Sequence, residues 1–278
     1  KAYATYYTHH KDKGENNLIS KLYTKLAMSY IYKKYAYPRS LSFIEHVFSW
    51  AIYLEPGVRA LADARIGGLH CRDSKRLLEV GCGSGKTLKN LAAMGWDVEG
   101  VDFDEMAVSV AKKSGLIVNV GGVESMNYPN DSFDVVISKH VIEHVPDPVK
   151  FLNETYRILK PGGQLVVYTP NSESLGHQLF KSNWRGLEPP RHQHIFGMSS
   201  LKKLIDKTGF VDICGTSTYA GAPILLASIR LAMGLGKKNA ETISIIALVL
   251  THYLEWFLVK LKPQWGEEIR VAASKPKQ

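Results

Sequence analysis

Between Arg76 and Asp104 the chain reads RLLEVGCGSGKTLKNLAAMGWDVEGVDFD. Leu77 to Val80 is a short apolar run that predicts a buried strand, and Gly81-Cys82-Gly83-Ser84-Gly85 predicts a glycine-rich turn. A helix follows from Lys86 to Met94, stopped by Gly95, and a second strand from Asp97 to Val101 ends on Asp102. Two short strands joined through a helix predict a right-handed βαβ unit with parallel strands. Glycines at the turn let a ligand approach the backbone, and the start of the helix points its N–H groups toward it. An acid closing the second strand, about 20 residues on, suits the diol of a ribose. A nucleoside-type ligand is therefore predicted here.

Three glycine-loop readings compete. A P-loop finds its last residues in Gly85-Lys86-Thr87, but its first glycine would fall at Val80. A dinucleotide loop needs its third glycine one residue later than Gly85. The loop also follows an acid, Glu79, which repels a pyrophosphate and can anchor an ammonium-bearing ligand. The pattern Glu79-Val-Gly-Cys-Gly-Ser-Gly85 with Val101-Asp-Phe-Asp104 resembles the class I S-adenosylmethionine (SAM)-dependent methyltransferases.

The resemblance extends over about residues 76–215, in the order and spacing of the quinone-biosynthesis O-methyltransferases. Ser132–Val136, Glu143–Pro148, Leu159–Gly163 and Thr169–Asn171 stand for S-F-D-V-V, E-H-V-x-D-P, L-K-P-G-G and T-P-N. Pro190–His192, Phe196, Ser200–Leu204 and Gly209–Phe210 continue the series. The resemblance implies SAM as cofactor, contacted by Glu79, Gly81, Cys82, Gly83, Gly85, Asp102, Phe103 and Lys139. The family often has an adenine-contacting acid after the third strand, where this chain has Gly122, so Val123 and Glu124 are the candidates for that contact.

The rest of the chain fits that frame. Leu116 to Val120, Phe133 to Ser138 and Gln164 to Thr169 predict three more strands, with helices from Asp104 to Lys113 and from Asp147-Pro148 to Leu159. Phe210 to Thr218 and Glu268 to Ser274 predict a sixth and a seventh. The expected fold is a doubly wound, Rossmann-like seven-stranded α/β sheet with the last strand antiparallel. Residues 1–17 read as irregular. An amphipathic helix with a basic polar side starts at Leu18 and is ended by Pro38. A second runs from the capping box Ser42-x-x-Glu45 to Leu54, and a third runs from Pro56 to Gly67-Gly68. The expected divisions are a helical cap over 1–75, a SAM-binding core over 76–221, an apolar helical insertion over 222–265, and a final strand and tail over 266–278.

Composition narrows the class. The 278 residues are 45% apolar and carry a net charge of +9. Residues 1–75 hold 12 basic and 6 acidic side chains, residues 76–170 hold 9 and 12, and residues 171–278 hold 14 and 8. The core is mildly acidic and the flanks are basic, which points the flanks to an anionic surface or leaves them a solvated face. Cys71, Cys82 and Cys214 have neither pairable nor metal-ligand spacing, which suits a reducing cytosol. The start shows no signal-peptide pattern and no initiator Met, which suits a fragment or a processed chain. The apolar runs Ala222 to Leu235 and Ile243 to Leu261 hold Arg230, His252, Glu255 and Lys260. A substrate lid, a homodimer face or a membrane-surface patch fits them better than a spanning helix.

Methyl transfer from a sulfonium is an in-line displacement, so the enzyme aligns acceptor, methyl and sulfur and can deprotonate a hydroxyl. His140, Glu143 and His144 fall at i, i+3 and i+4 after the fourth strand, on one face of a predicted helical turn. Three readings stay open: a histidine base oriented by Glu143, a divalent-metal site, or a purely structural turn. The metal reading is disfavoured because His140 stands where the related enzymes have an acid. The segment Trp184 to His194 brings an aromatic, Arg185, Arg191, His192 and His194 over the same crevice, and His192 is a further catalytic candidate. Ser138-Lys139-His140-Val141 lacks the D-P-P-Y-like motif of enzymes that methylate nucleic-acid bases, and no basic nucleic-acid module is visible. The expected activity is O-methylation of a small-molecule acceptor, lipid- or glycan-linked forms included. The expected location is cytoplasmic or peripheral on the inner membrane face. A SAM-binding scaffold without catalysis is the alternative.

Overall fold

The computed structural model describes residues 18–37, 40–54, 56–69, 75–218, 220–234 and 245–277. The expectations for residues 1–17, for Pro38 and for Cys71 lie outside them. Seven strands form one sheet in the order β3-β2-β1-β4-β5-β7-β6. They are β1 (Arg76–Val80), β2 (Asp97–Asp102), β3 (Ile117–Val120), β4 (Phe133–Lys139), β5 (Leu159–Pro170), β6 (Val211–Thr218) and β7 (Glu268–Ser274). The first five pair in parallel, and β7 runs antiparallel to both β5 and β6. The doubly wound expectation holds. One element differs: β5 begins at Leu159, not Gln164, because the Lys160–Gly163 turn is drawn into the sheet by the pairing of Leu159 with Phe133.

Strand alternation divides the apolar side chains between two cores. Leu77, Val135, Ile137, Val166, Tyr168 and Ala272 face one layer, which also holds Tyr30, Ile31, Ile66, Leu88 and Leu91. These come from α1 (Leu18–Lys34), the turn after α3 (Pro56–Arg65), and α4 (Lys86–Ala92). Leu78, Val80, Val136, Leu165, Val167, Ile269 and Val271 face the other layer, formed by α6 (Pro148–Ile158) and α8 (Met198–Lys207). Between α4 and α6, α5 (Glu105–Lys113) starts on an Asp104 cap that accepts from the Met106 and Ala107 amides. Pro148 opens α6 at a position where no backbone N–H is needed.

The predicted capping box opens α2 (Phe43–Leu54): the Ser42 amide donates to Glu45 at 2.9 Å and the Glu45 amide to Ser42 Oγ at 3.3 Å. A short α7 (Leu175–Phe180) follows β5. The two apolar runs form α9 (Ala222–Ala232) and α10 (Ile245–Leu261), which pack against each other. Among the described residues no helix is long and apolar enough to cross a membrane.

Phe133 is fully buried at the start of β4, edge-on to Tyr128 at 5.1 Å and under the Arg76 guanidinium at 4.6 Å. We expect Phe133→Ala to lower unfolding free energy by about 3–5 kcal/mol in denaturant titrations with little change in slope. A loss under about 1 kcal/mol would contradict this packing.

Candidate active site

The glycine loop is shaped by close contacts. Gly81 has φ 73°, and a Cβ there would run into the Val141 side chain, so loop and post-β4 turn touch only because the residue is glycine. Gly83 also has positive φ (53°), but open space lies where its Cβ would be, as a ligand-facing position requires. Its amide donates to Asp102 Oδ2 at 2.7 Å, while Asp102 Oδ1 accepts from the Asp104 amide at 2.8 Å. Asp102 is thus locked beside the loop, and the lone pairs left on its oxygens are acceptors for a diol. Phe103, next along, is 73% exposed. A Cβ at Gly122 would stand 2.7 Å from the Phe103 ring and 2.9 Å from Glu124 Oε2, so glycine opens a slot between a ring and a carboxylate. Val123 and Cys82 turn their side chains inward, to the apolar core and against Gly100, and leave the slot only their backbone.

At the end of β1, Glu79 is buried and its Oε2 has no hydrogen-bond partner among the described residues. Burial, against the nearby Lys139 charge and Thr87 hydroxyl, pushes its carboxyl up to about 7. Lys139 Nζ stands 3.9 Å from Glu79 Oε1 and donates to the Ala64 carbonyl and Thr87 Oγ1, both at 2.8 Å. A buried orphan carboxylate oxygen matches an ammonium group. The residues fit SAM: Glu79 toward its amino group, Asp102 toward its ribose, and Phe103 with Glu124 toward its adenine.

The turn after β4 differs from the expected helical turn. His140 adopts φ 53° and only residues 142–144 form a turn, so His140 and His144 end on opposite sides of Glu143 and do not share one helical face. His140 Nδ1 meets Glu143 Oε1 at 3.3 Å and Nε2 meets Glu268 Oε2 at 2.8 Å. Both ring nitrogens face carboxylates. Burial alone would lower this imidazole, but the hydrogen bonds and charges of Glu143 and Glu268 outweigh it and raise it to about 10. Glu143 is buried and also accepts from Thr169 Oγ1 at 3.0 Å; burial pushes its carboxyl up, and the His140 contact more than offsets that.

On the other side of Glu143, His144 Nδ1 donates to the Arg191 carbonyl at 3.0 Å and His192 Nδ1 to the Gly186 carbonyl at 2.6 Å. A carbonyl only accepts, so each ring carries a proton on Nδ1. Burial holds His192 below the ordinary histidine value. The two rings lie edge-on at 4.7 Å, and ligand atoms of Glu143, His144 and His192 all fall within 4.8 Å of one another. That set could hold a divalent cation, with backbone carbonyls orienting both rings as at many metal sites. It replaces the His140, Glu143, His144 set expected from spacing.

Trp184 and the two arginines of this segment are held by other side chains of the protein. Trp184 is buried, stacks on His177 at 4.5 Å and donates to Glu267 Oε2 at 2.6 Å. Arg185 and Arg191 both pair with Glu188. Asn171, of the T-P-N motif, donates to the carbonyls of Gln264 and Gly266 at 2.8 Å and ties the insertion's end to β5. Glu268, the second clasp of His140, had no motif to announce it and is brought in only by the β5–β7 pairing. Beside it a cavity of about 320 Å³ lies between α1, α3 and the sheet, lined by Lys34, Tyr35, Asp63, Tyr168, Glu268 and Arg270 among others.

The chain belongs to the methyltransferase-domain family, whose model matches residues 53–214. The ubiquinone biosynthesis O-methyltransferase of Cereibacter sphaeroides is 37% identical over 146 residues, 48% of this chain and 59% of that one. The protein of that name in Acinetobacter baumannii is 33% identical over 117 residues, 39% and 48% of the two chains. The matched region is thus about half the length of these curated relatives. Among solved structures, phosphoethanolamine N-methyltransferase 2 of Haemonchus contortus with S-adenosyl-L-methionine gives TM-score 0.54 at 20% identity, over 96% of this chain and 59% of that one. A SAM-dependent methyltransferase from Archaeoglobus fulgidus gives 0.53 at 20%, over 84% and 100%. The chain thus carries a methyltransferase domain, with SAM as its cofactor.

Two outcomes follow. Asp102→Ala should weaken S-adenosylhomocysteine binding about ten- to hundredfold in calorimetry, the worth of a charged hydrogen-bond acceptor. His140, raised above 6.5 to about 10 in the folded state, contributes stability that is full below about pH 6.5 and lost as pH rises through about 10. Melting temperature should therefore fall over that window in the parent and fall less in His140→Gln. Parallel curves for the two would refute the clasp.

Proposed function

We propose that the protein transfers the SAM methyl group to a hydroxyl of a small-molecule acceptor, with His192 as general base. The observation that carries this is a buried imidazole, held below the ordinary histidine value by burial, whose Nδ1 proton goes to the Gly186 carbonyl, so that Nε2, 3.6 Å from Glu188 Oε2, is the atom that can take a proton. His140, held between two carboxylates, is cationic at neutral pH and acts as an electrostatic and positioning group instead of the base. Glu143 and His144 orient the constellation. The likeness to ubiquinone biosynthesis O-methyltransferases supports oxygen as the methylated atom. The cavity lined by Tyr35, Tyr168 and the paired charges of Lys34 and Asp63 supports a polar acceptor bound under the N-terminal cap. Residues 1–75 and 222–265 then serve as lid and insertion around a core of 76–221 and 266–278.

In the reaction an acceptor oxygen attacks the methyl carbon as the carbon–sulfur bond breaks. The hydroxyl proton passes to His192, and S-adenosylhomocysteine leaves neutral at sulfur. SAM is already activated, so alignment and exclusion of water supply most of the acceleration. A second reading adds a divalent cation on Glu143, His144 and His192, which would lower the pKa of a coordinated hydroxyl.

Labelled SAM incubated with protein and cell extract, split into aqueous and lipid fractions, should deposit label on an O-methyl group of a small molecule. His192→Ala should lower kcat about 10²–10⁴-fold with S-adenosylhomocysteine affinity unchanged. Full turnover in that variant would sink the base assignment, and label found in no fraction would favour a SAM-binding scaffold. Loss of activity on chelation, restored by added magnesium or zinc, would select the second reading.

A further inference from the structure

A helix that faces water normally turns its polar residues outward and its apolar ones to the core. Two helices of this protein bury polar side chains and leave large apolar ones exposed, although α2 also sends Ile52 to the core. On α10, Thr251, His252 and Glu255 are buried, while Leu250, Leu254, Phe257 and Leu261 are exposed, Leu250 to 63%. Their spacing of three, four and seven residues draws one apolar stripe along the outer side. On α2, Glu45 and Ser49 are buried, while Phe43 (84% exposed), Ile44, Val47 and Trp50 (63%) point outward. Helix α3 packs against both α2 and α10, so these two helices flank a common support.

Among the described residues, the exposed charges bordering these side chains are of one sign. From 222 to 266, the described residues include one acid, Glu255, and it is buried, whereas Lys260 and Lys262 are exposed. On α2 the one acid, Glu45, is buried as well, and Lys33 of α1 lies over the Trp50 ring at 4.2 Å. Exposed apolar side chains edged by cations, with a lysine over a tryptophan, match the boundary between headgroups and acyl chains. They do not match a second copy of the same face, which would bring like charges together. No described helix can span a bilayer, so the contact is with its surface.

We propose that α2 and α10 form a docking face for an anionic lipid bilayer, with Phe43, Trp50, Leu254 and Phe257 entering the interface and Lys33, Lys260 and Lys262 meeting acidic headgroups. The face is distinct from the cofactor site, so its test does not depend on the acceptor.

The full chain is to be co-sedimented with vesicles of phosphatidylcholine alone and of phosphatidylcholine with phosphatidylglycerol, at low and high salt. Binding is expected to the mixed vesicles, weaker at high salt and weaker to phosphatidylcholine alone. The double variant Leu254→Ser/Phe257→Ser should lose about tenfold or more of that binding. It should keep the parent's affinity for S-adenosylhomocysteine, which shows that it is folded. Two results overturn the proposal: no association with mixed vesicles at low salt, or a parent dimer that the double variant dissociates while vesicle binding is unchanged. Loss of S-adenosylhomocysteine binding in the parent itself would instead count against the functional reading.

Discussion

Two adjacent carboxylates, Glu267 and Glu268, enter the interior at the start of β7, and burial obliges each to find donors. Glu267 takes them from Trp184 Nε1, Ser174 Oγ and the Gly176 amide, and Glu268 from His140 Nε2 and Thr218 Oγ1. Because β7 runs antiparallel to β5, its first residue lies opposite Pro170, at the end of β5. Acids far along the chain are thereby placed at the carboxyl edge of the parallel strands, where doubly wound folds bind their ligands. Removing one such partner leaves a buried charge, so the segments joined here hold one another in place.

The charge at this edge is graded. Glu79 lacks a full set of partners and is raised to about 7, which leaves it poised for a ligand cation. Glu143 has His140 and Thr169 and stays ionised. His192 has the Gly186 carbonyl on one nitrogen and Glu188 at 3.6 Å from the other, and burial outweighs the neighbouring carboxylate charge and holds it below the ordinary histidine value. Two carboxyls and an imidazole at one edge of the sheet are thus shifted in different directions by burial and by the partners within reach.

Much of the sheet could be read from local pattern. Apolar runs of four to six residues, glycines at turns and Asp or Pro at helix starts each have a local physical cause, so strands and helices fell within a few residues of expectation. The glycine loop and Asp102 were legible for the same reason: close backbone approach and a strand-end acid are constraints within one βαβ unit. The segment from Trp184 to His194 was not. Its aromatic and arginines look like recognition groups in sequence, yet Trp184 answers the buried Glu267 and both arginines answer Glu188. The T-P-N motif likewise serves structure, with Asn171 closing the insertion onto the sheet.

By itself the sequence determined the fold class and the cofactor, because those depend on periodicity and on spacing within short units. Only the tertiary structure decided which histidine is charged and which is neutral, since each pKa is set by partners from elsewhere in the chain, Glu268 for His140 and Gly186 for His192. It also decided that α2 and α10 face outward with their apolar sides. Periodicity marks a helix as two-faced, but which face is covered depends on what the rest of the molecule packs against it.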